Sequence, residues 1–523
     1  MSINLIKEEI RTMEVVCQKY SQSMVECDVI VPDVKPDIRK VLEVSGTVSI
    51  TQKQVQQDRV LIQGLVRMTV LYLPDGENSG AVRSLFATQE FNHTSDCRGA
   101  TPEMQFLAEA EPESFDSTMI NSRKLNLRCV LGIGMKVSKP LTLEFATGIE
   151  GSDKIALKKE PLRMICAADN AQCQVILREQ LEMPSGKPTI GEILKISAVP
   201  TPLELCIMEN KALAKGQVRV CTLYLAEDQD RSLQFVEHVI PFTEILDAEG
   251  LHEDMEGEAE YTLNDMYYEV RENSDGESRI LGLELVLGAL VRGSEIREIE
   301  AITDAYALSG ELEVACKQHS LEQLLDNNTA QITVKNQAKL PPMLPPLKQV
   351  CDVNTTAKID RITTENGQIT VHGTLHTQIL YLSQEESSPV SGFRHVTEFS
   401  HSFDLPRAEA DTACDARVFV DHTSYTLSGD DSLELRFLVG LAVKSLKTGL
   451  TCLVESMTEV VPEHSAPYPC MVLYFVQKGD SLWKIAKAYH TTVDSIKALN
   501  GLDCDTIYPG QQLKIMAQNC ISA

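Results

Sequence analysis

The sequence predicts a mostly β protein: three tandem antiparallel β-sandwich-like repeats followed by a small βααβ domain. Three observations predict it. A ten-residue pattern recurs as GLVRMTVLYL, GQVRVCTLYL and GTLHTQILYL, around Tyr72, Tyr224 and Tyr381. A second alternating segment follows each copy, and near residue 472 the pattern changes to strand, helix, helix, strand.

In the recurring segment, Gly64, Gly216 and Gly373 each stand eight residues before the tyrosine. One face of each segment reads Val66, Met68, Val70 and Tyr72; Val218, Val220, Thr222 and Tyr224; Leu375, Thr377, Ile379 and Tyr381. Period-two alternation marks a half-buried strand, and its glycine marks a bulge or a close backbone approach. Upstream, Pro36, Pro188 and Pro345 all lie 36 residues before their tyrosines. Downstream, one face reads Leu125 to Ile133, Leu281 to Ala289 and Leu433 to Leu441, while Arg128, Glu284 and Arg436 occupy the other. One dry and one wet face is the pattern of an antiparallel sheet.

These matches place repeats at 25–150, 170–306 and 338–462. Residues 1–24 are expected to form a helix that packs on the first repeat. The stretch KQHSLEQLLDNN, between the second and third repeats, reads as a short amphipathic helix. The run LPPMLPPLK (340–348) is a stiff domain start at the repeat's own proline position, not a ligand for a proline-binding groove.

The last domain spans 471–517. Tyr474 and Val476 open it as a strand, and Gly479 to Ser481 turn the chain, with Asp480 or Ser481 capping the next helix. Leu482, Ile485, Ala486 and Tyr489 form that helix's apolar stripe. Thr491 or Thr492 starts a second helix carrying Val493, Ile496 and Leu499, which Asn500-Gly501 stops. Leu513 to Ile515 close the domain. The marks Y-x-V-x-x-G-D-S-L-W-x-I-A, I-x-x-L-N-x-L and I-x-P-G-Q-x-L-x-I resemble the LysM domain. That resemblance implies a shallow groove for N-acetylglucosamine-containing glycans such as peptidoglycan. The groove falls on Gly479, Asp480, Ser481, Leu482, Asn500, Leu502, Ile507 and Pro509. Several of these residue types also build the fold, and Trp483, the only tryptophan, suits packing as well as binding.

The tripled unit, with KPDI-x-K-V-L at Lys35 to Leu42 and the G-x-V-x-V-x-x-L-Y-L strand, resembles the SPOCS repeat of spore-coat proteins. Three such repeats before a LysM domain resemble the SipL-type coat morphogenetic family. The third copy departs from the pattern, with Leu344 where the others have lysine. The resemblance implies a mother-cell cytoplasmic protein at the forespore surface. Its implied partners are a SpoIVA-type spore-coat ATPase and other coat proteins, with peptidoglycan as the alternative ligand.

The net charge of −27 argues against nucleic-acid binding, which relies on basic faces. No run approaches the roughly 20 apolar residues of a membrane span, and the start of the chain carries no secretory pattern. The 15 cysteines are dispersed without a CxxC pair, as expected of thiols in a reducing cytosol. His372 and His376 sit four apart within an alternating strand, where that spacing makes no metal site. No phosphate loop, nucleophile elbow or zinc-protease motif occurs. The carboxylates at Glu109, Glu111 and Glu113, and at Glu256, Glu258 and Glu260, read as solvated strand faces. No catalytic residue and no cofactor is expected. Two functions remain: a non-enzymatic spore-coat scaffold, and a cell-wall-binding protein.

Overall fold

The computed structural model describes residues 3–75, 82–151, 154–167, 171–228, 231–365, 367–385, 388–405, 412–429, 431–460 and 471–516. The first repeat comprises β1 (Leu5–Ile30), β2 (Ile38–Gln56), β3 (Arg59–Pro74), β4 (Arg83–Asp96), β5 (Gln105–Asn121) and β6 (Lys124–Ile149). The second holds β7 (Ile155–Ala167), β8 (Ala171–Glu182), β9 (Ile190–Met208), β10 (Lys211–Ala226), β11 (Leu233–Asp247), β12 (Glu256–Glu272) and β13 (Ser278–Ala307). The third holds β14 (Glu311–Lys339), β15 (Leu347–Glu365), β16 (Gln368–Ser383), β17 (Val390–Asp404), β18 (Ala413–Leu427) and β19 (Ser432–Val460).

Each repeat is a sandwich of two antiparallel sheets. In the first, β2-β3-β4 faces β1-β6-β5. The apolar faces of β3 and β6 meet in one core, where Val66, Val70, Tyr72, Leu125, Leu127, Cys129, Leu131 and Ile133 are all fully buried. The third repeat is built in the same way, and in the second β7 and β8 pair in succession with β13.

The constant spacing of proline and tyrosine has a direct cause. The hydroxyls of Tyr72, Tyr224 and Tyr381 donate to the carbonyls of Pro36, Pro188 and Pro345, at 3.1, 2.9 and 2.8 Å. Each bond ties the sandwich core to the start of β2, β9 or β15. The glycines are equally determined. Gly64, Gly216 and Gly373 pair with Phe91, Phe242 and Phe399, and a Cβ on any of them would run into that ring. On the other side the neighbouring strand bulges, skipping Thr51, Leu203 and Asp360 in register.

Two sequence expectations are corrected here. The helix expected over 1–24 is replaced, among the described residues, by one long strand, Leu5–Ile30, paired with β6. The KQHSLEQLLDNN stretch lies within β14, paired with β19. In both, the strand runs past its sandwich into a core shared by all three repeats, where Ile10, Phe145, Leu162, Ile299, Leu321 and Leu453 pack together. Register shifts between Val15 and Cys17, and between Leu324 and Asp326, mark that passage. A bulge reverses the phase of alternation, so the apolar pattern is not that of a single strand.

A second shared core lies where β3, β10 and β16 end. Flanking each buried tyrosine, Leu71 and Leu73, Leu223 and Leu225, and Leu380 and Leu382 turn the other way and meet there. In the Leu-Tyr-Leu triplet, tyrosine therefore fills its own repeat while the leucines join the repeats. Some of the carboxylates read as solvated faces instead link repeats elsewhere: Glu258 pairs with Arg417, and Glu109 lies 3.8 Å from Arg292.

Candidate functional site

The C-terminal domain consists of β20 (Met471–Phe475), α1 (Leu482–Ala488), α2 (Val493–Asn500) and β21 (Gln512–Met516), with the two strands antiparallel. Val476, Leu482, Ile485, Ala486, Ile496, Leu513 and Ile515 form its core. Ser481 caps α1 by accepting from the Lys484 amide at 3.2 Å, and Thr492 caps α2 through the Ser495 amide at 3.1 Å. Gly501 ends α2 in the left-handed region, with φ 63°.

The loops 477–481 and 501–511 carry the residues expected to line the groove. Gly479, Ser481 and Pro509 are exposed, Asp480, Asn500, Leu502 and Ile507 are half-buried, and Leu482 is buried. Several of these side chains have structural duties. Asp480 accepts from the Tyr474 hydroxyl at 2.7 Å and from the Gln477 amide at 2.8 Å. Those bonds, the amide's foremost, hold its carboxyl below the usual range. Asn500 braces α2 against β21, donating to the carbonyls of Ile496 and Lys514 and accepting from the Lys514 amide at 2.7 Å. Leu482, Leu502 and Ile507 pack in or against the core. Backbone groups and exposed side chains of the loops are then what a ligand would meet. Sequence reasoning passed over Tyr508, 69% exposed between Ile507 and Pro509; its signal was an aromatic in a loop otherwise made of turn residues.

Sequence reasoning also missed the surface that holds this domain in place. Trp483, Lys487 and His490, spaced by four and three, face the end of β13. The Trp483 indole N–H donates to one Asp304 carboxylate oxygen at 2.8 Å, and Lys487 Nζ to the other at 2.6 Å. The Tyr306 ring stands edge-on to Trp483, with centroids 4.8 Å apart, and its hydroxyl donates to the Thr491 carbonyl at 2.6 Å. His490 Nδ1 lies 2.9 Å from the Ala307 carbonyl oxygen. Burial disfavours the charged form of Asp304, but the bonds from Lys487 and Trp483 outweigh it and hold the carboxyl low. Burial pushes the Tyr306 hydroxyl up to about 12. The single tryptophan thus joins the domain to the second repeat, although the third precedes it in the chain.

Among the described residues no cluster of three or more His, Cys, Asp or Glu is placed to hold a metal. Among the described residues no helix is long and apolar enough to cross a membrane.

Fold and site together define a multi-repeat β protein that carries a small binding module. The SipL, SPOCS domain model matches residues 37–120, 189–271 and 346–428, and the LysM domain model matches 474–515. The chain is a SipL-like protein: three SPOCS domains and a C-terminal LysM domain. Both are binding domains, not catalytic ones. The "Probable peptidoglycan endopeptidase LytE" of Bacillus subtilis is 52% identical over 42 residues, 8% of this chain and 13% of that protein. The autolysin of Enterococcus faecalis is 32% identical over 106 residues, 18% of this chain and 14% of its own. The N-acetylmuramoyl-L-alanine amidase sle1 of Staphylococcus aureus is 57% identical over 42 residues, 8% and 13% of the two chains. This chain therefore covers only about an eighth of the length of these relatives. No solved structure matches it.

Proposed function

We propose that this protein is a non-enzymatic spore-coat morphogenetic scaffold, working in the mother-cell cytoplasm and bridging a SpoIVA-type coat ATPase to the forespore surface. The observation that carries the reading is the LysM dock. One side of the domain is spent on Asp304 and Tyr306 of the second repeat, while Gly479, Ser481, Tyr508 and Pro509 are left exposed. A module held this way transmits a grip on its ligand directly to the β body. We take the domains serving this role as 25–150, 170–306, 338–462 and 471–517, the first three extended upstream by the paired parts of β1, β7 and β14.

The test is co-purification from sporulating cells. Deleting 471–523 abolishes recovery of the coat ATPase while the repeats keep their β signature; Tyr508→Ala weakens recovery without unfolding the module. Undiminished recovery after the deletion refutes the LysM role. A second reading, peptidoglycan binding, is favoured by the identity of the LysM segment to those of wall hydrolases. Sedimentation of the full chain with purified peptidoglycan, competed by soluble N-acetylglucosamine oligomers, distinguishes the two.

A further inference from the structure

The surfaces that join the repeats are nearly identical in their apolar parts and differ at one buried charged position. Glu43, Lys195 and Asp352 each stand 29 residues before Tyr72, Tyr224 and Tyr381. They occupy the same place in register, opposite Leu71, Leu223 and Leu380. Each follows a bulged residue, Leu42, Leu194 or Cys351, whose side chain enters the shared core. The bulge, which re-aims the next side chain, thus delivers three equivalent positions to one junction.

There the charges alternate. Lys195 Nζ lies 2.9 Å from Glu43 Oε1, with the two side chains 13% and 6% exposed. The Gln378 amide of the third repeat donates to the same oxygen at 3.1 Å. Asp352 accepts from the Ser197 hydroxyl at 3.0 Å and from Arg219 at 3.1 Å. Burial disfavours the charge on Lys195, yet Glu43 and Asp352 outweigh it and raise its pKa, so the lysine is a cation.

We propose that this acid–base–acid set is a recognition code: the lysine of the second repeat, set between the acids of the first and third, makes the mixed trio the one that closes, so one chain's three repeats meet in a fixed arrangement and none is replaced by a duplicate of another. The leucines cannot make that distinction, because all three repeats present them. A cluster of three first repeats would bury three glutamates together, and one of three second repeats three lysines. Buried like charges without partners are strongly unfavourable, which makes a charge mismatch an effective discriminator.

The test uses the full chain and small-angle scattering with sedimentation. Lys195→Glu places three acids at the junction. The expected result is an increased radius of gyration or self-association, with far-UV circular dichroism still reporting β structure, since each repeat keeps its own core. Combining Glu43→Lys with Lys195→Glu restores one opposite-charge pair, and Gln378 can present its carbonyl to the new lysine. This double variant should recover at least half of the change even if the single variant aggregates. Wild-type dimensions and a monomer for Lys195→Glu, or a double variant no better than the single, would overturn the proposal.

Discussion

Individual residues explain why the repeat motif has the form it has. The tyrosine hydroxyls answer to one proline carbonyl each, so Tyr224→Phe removes a bond without changing the shape of the core. A single bond of this kind contributes about 1 kcal/mol, and chemical denaturation should register a loss of that order. Its glycines are stricter. Gly216→Leu forces a side chain into the Phe242 ring and the Thr201 carbonyl. A loss of about 1–3 kcal/mol is expected, read by the same measurement. These positions were legible in the sequence because spacing and residue type recur together. The partners of Asp480 and Asn500 were not: a motif marks residues as characteristic without separating those that bind from those that brace a turn.

At the level of elements, the segments that repeat most plainly are those with one face in their own sandwich core, such as Val60–Val70 of β3 and Leu125–Leu131 of β6. The long strands β1 and β14 were misread because half of each leaves its sandwich. Leu321 and Leu324, three residues apart, are both about 1% exposed, and this helix-like spacing arises where the strand enters the shared core beside a bulge. The LysM elements were legible almost to the residue, since caps and turns are local signals. Its dock was not, because Asp304 and Tyr306 lie more than 170 residues away in sequence. Trp483→Ala should release the module while leaving both parts folded, and amide exchange across 300–308 should rise severalfold.

The dock also ties pH to the arrangement of the whole molecule. Asp304 has a folded pKa below its ordinary 3.8. Its bonds therefore stabilise the docked state fully above that value and lose their contribution as pH falls through the lower folded value. Trp483 is the sole tryptophan, so its fluorescence should report the loss of the Asp304 bonds below about pH 4. In Asp304→Asn that acid transition should vanish.

On the function proposed above, the repeats make a body and the LysM domain is its grip, held by one side and open at its loops. Hydrogen exchange of the full chain with and without the purified coat ATPase tests this most directly. Protection confined to 477–482 and 502–510 in the LysM domain, with the dock at 304–307 unchanged, is the predicted result. Protection that bypasses those loops and falls only on the β repeats would contradict it.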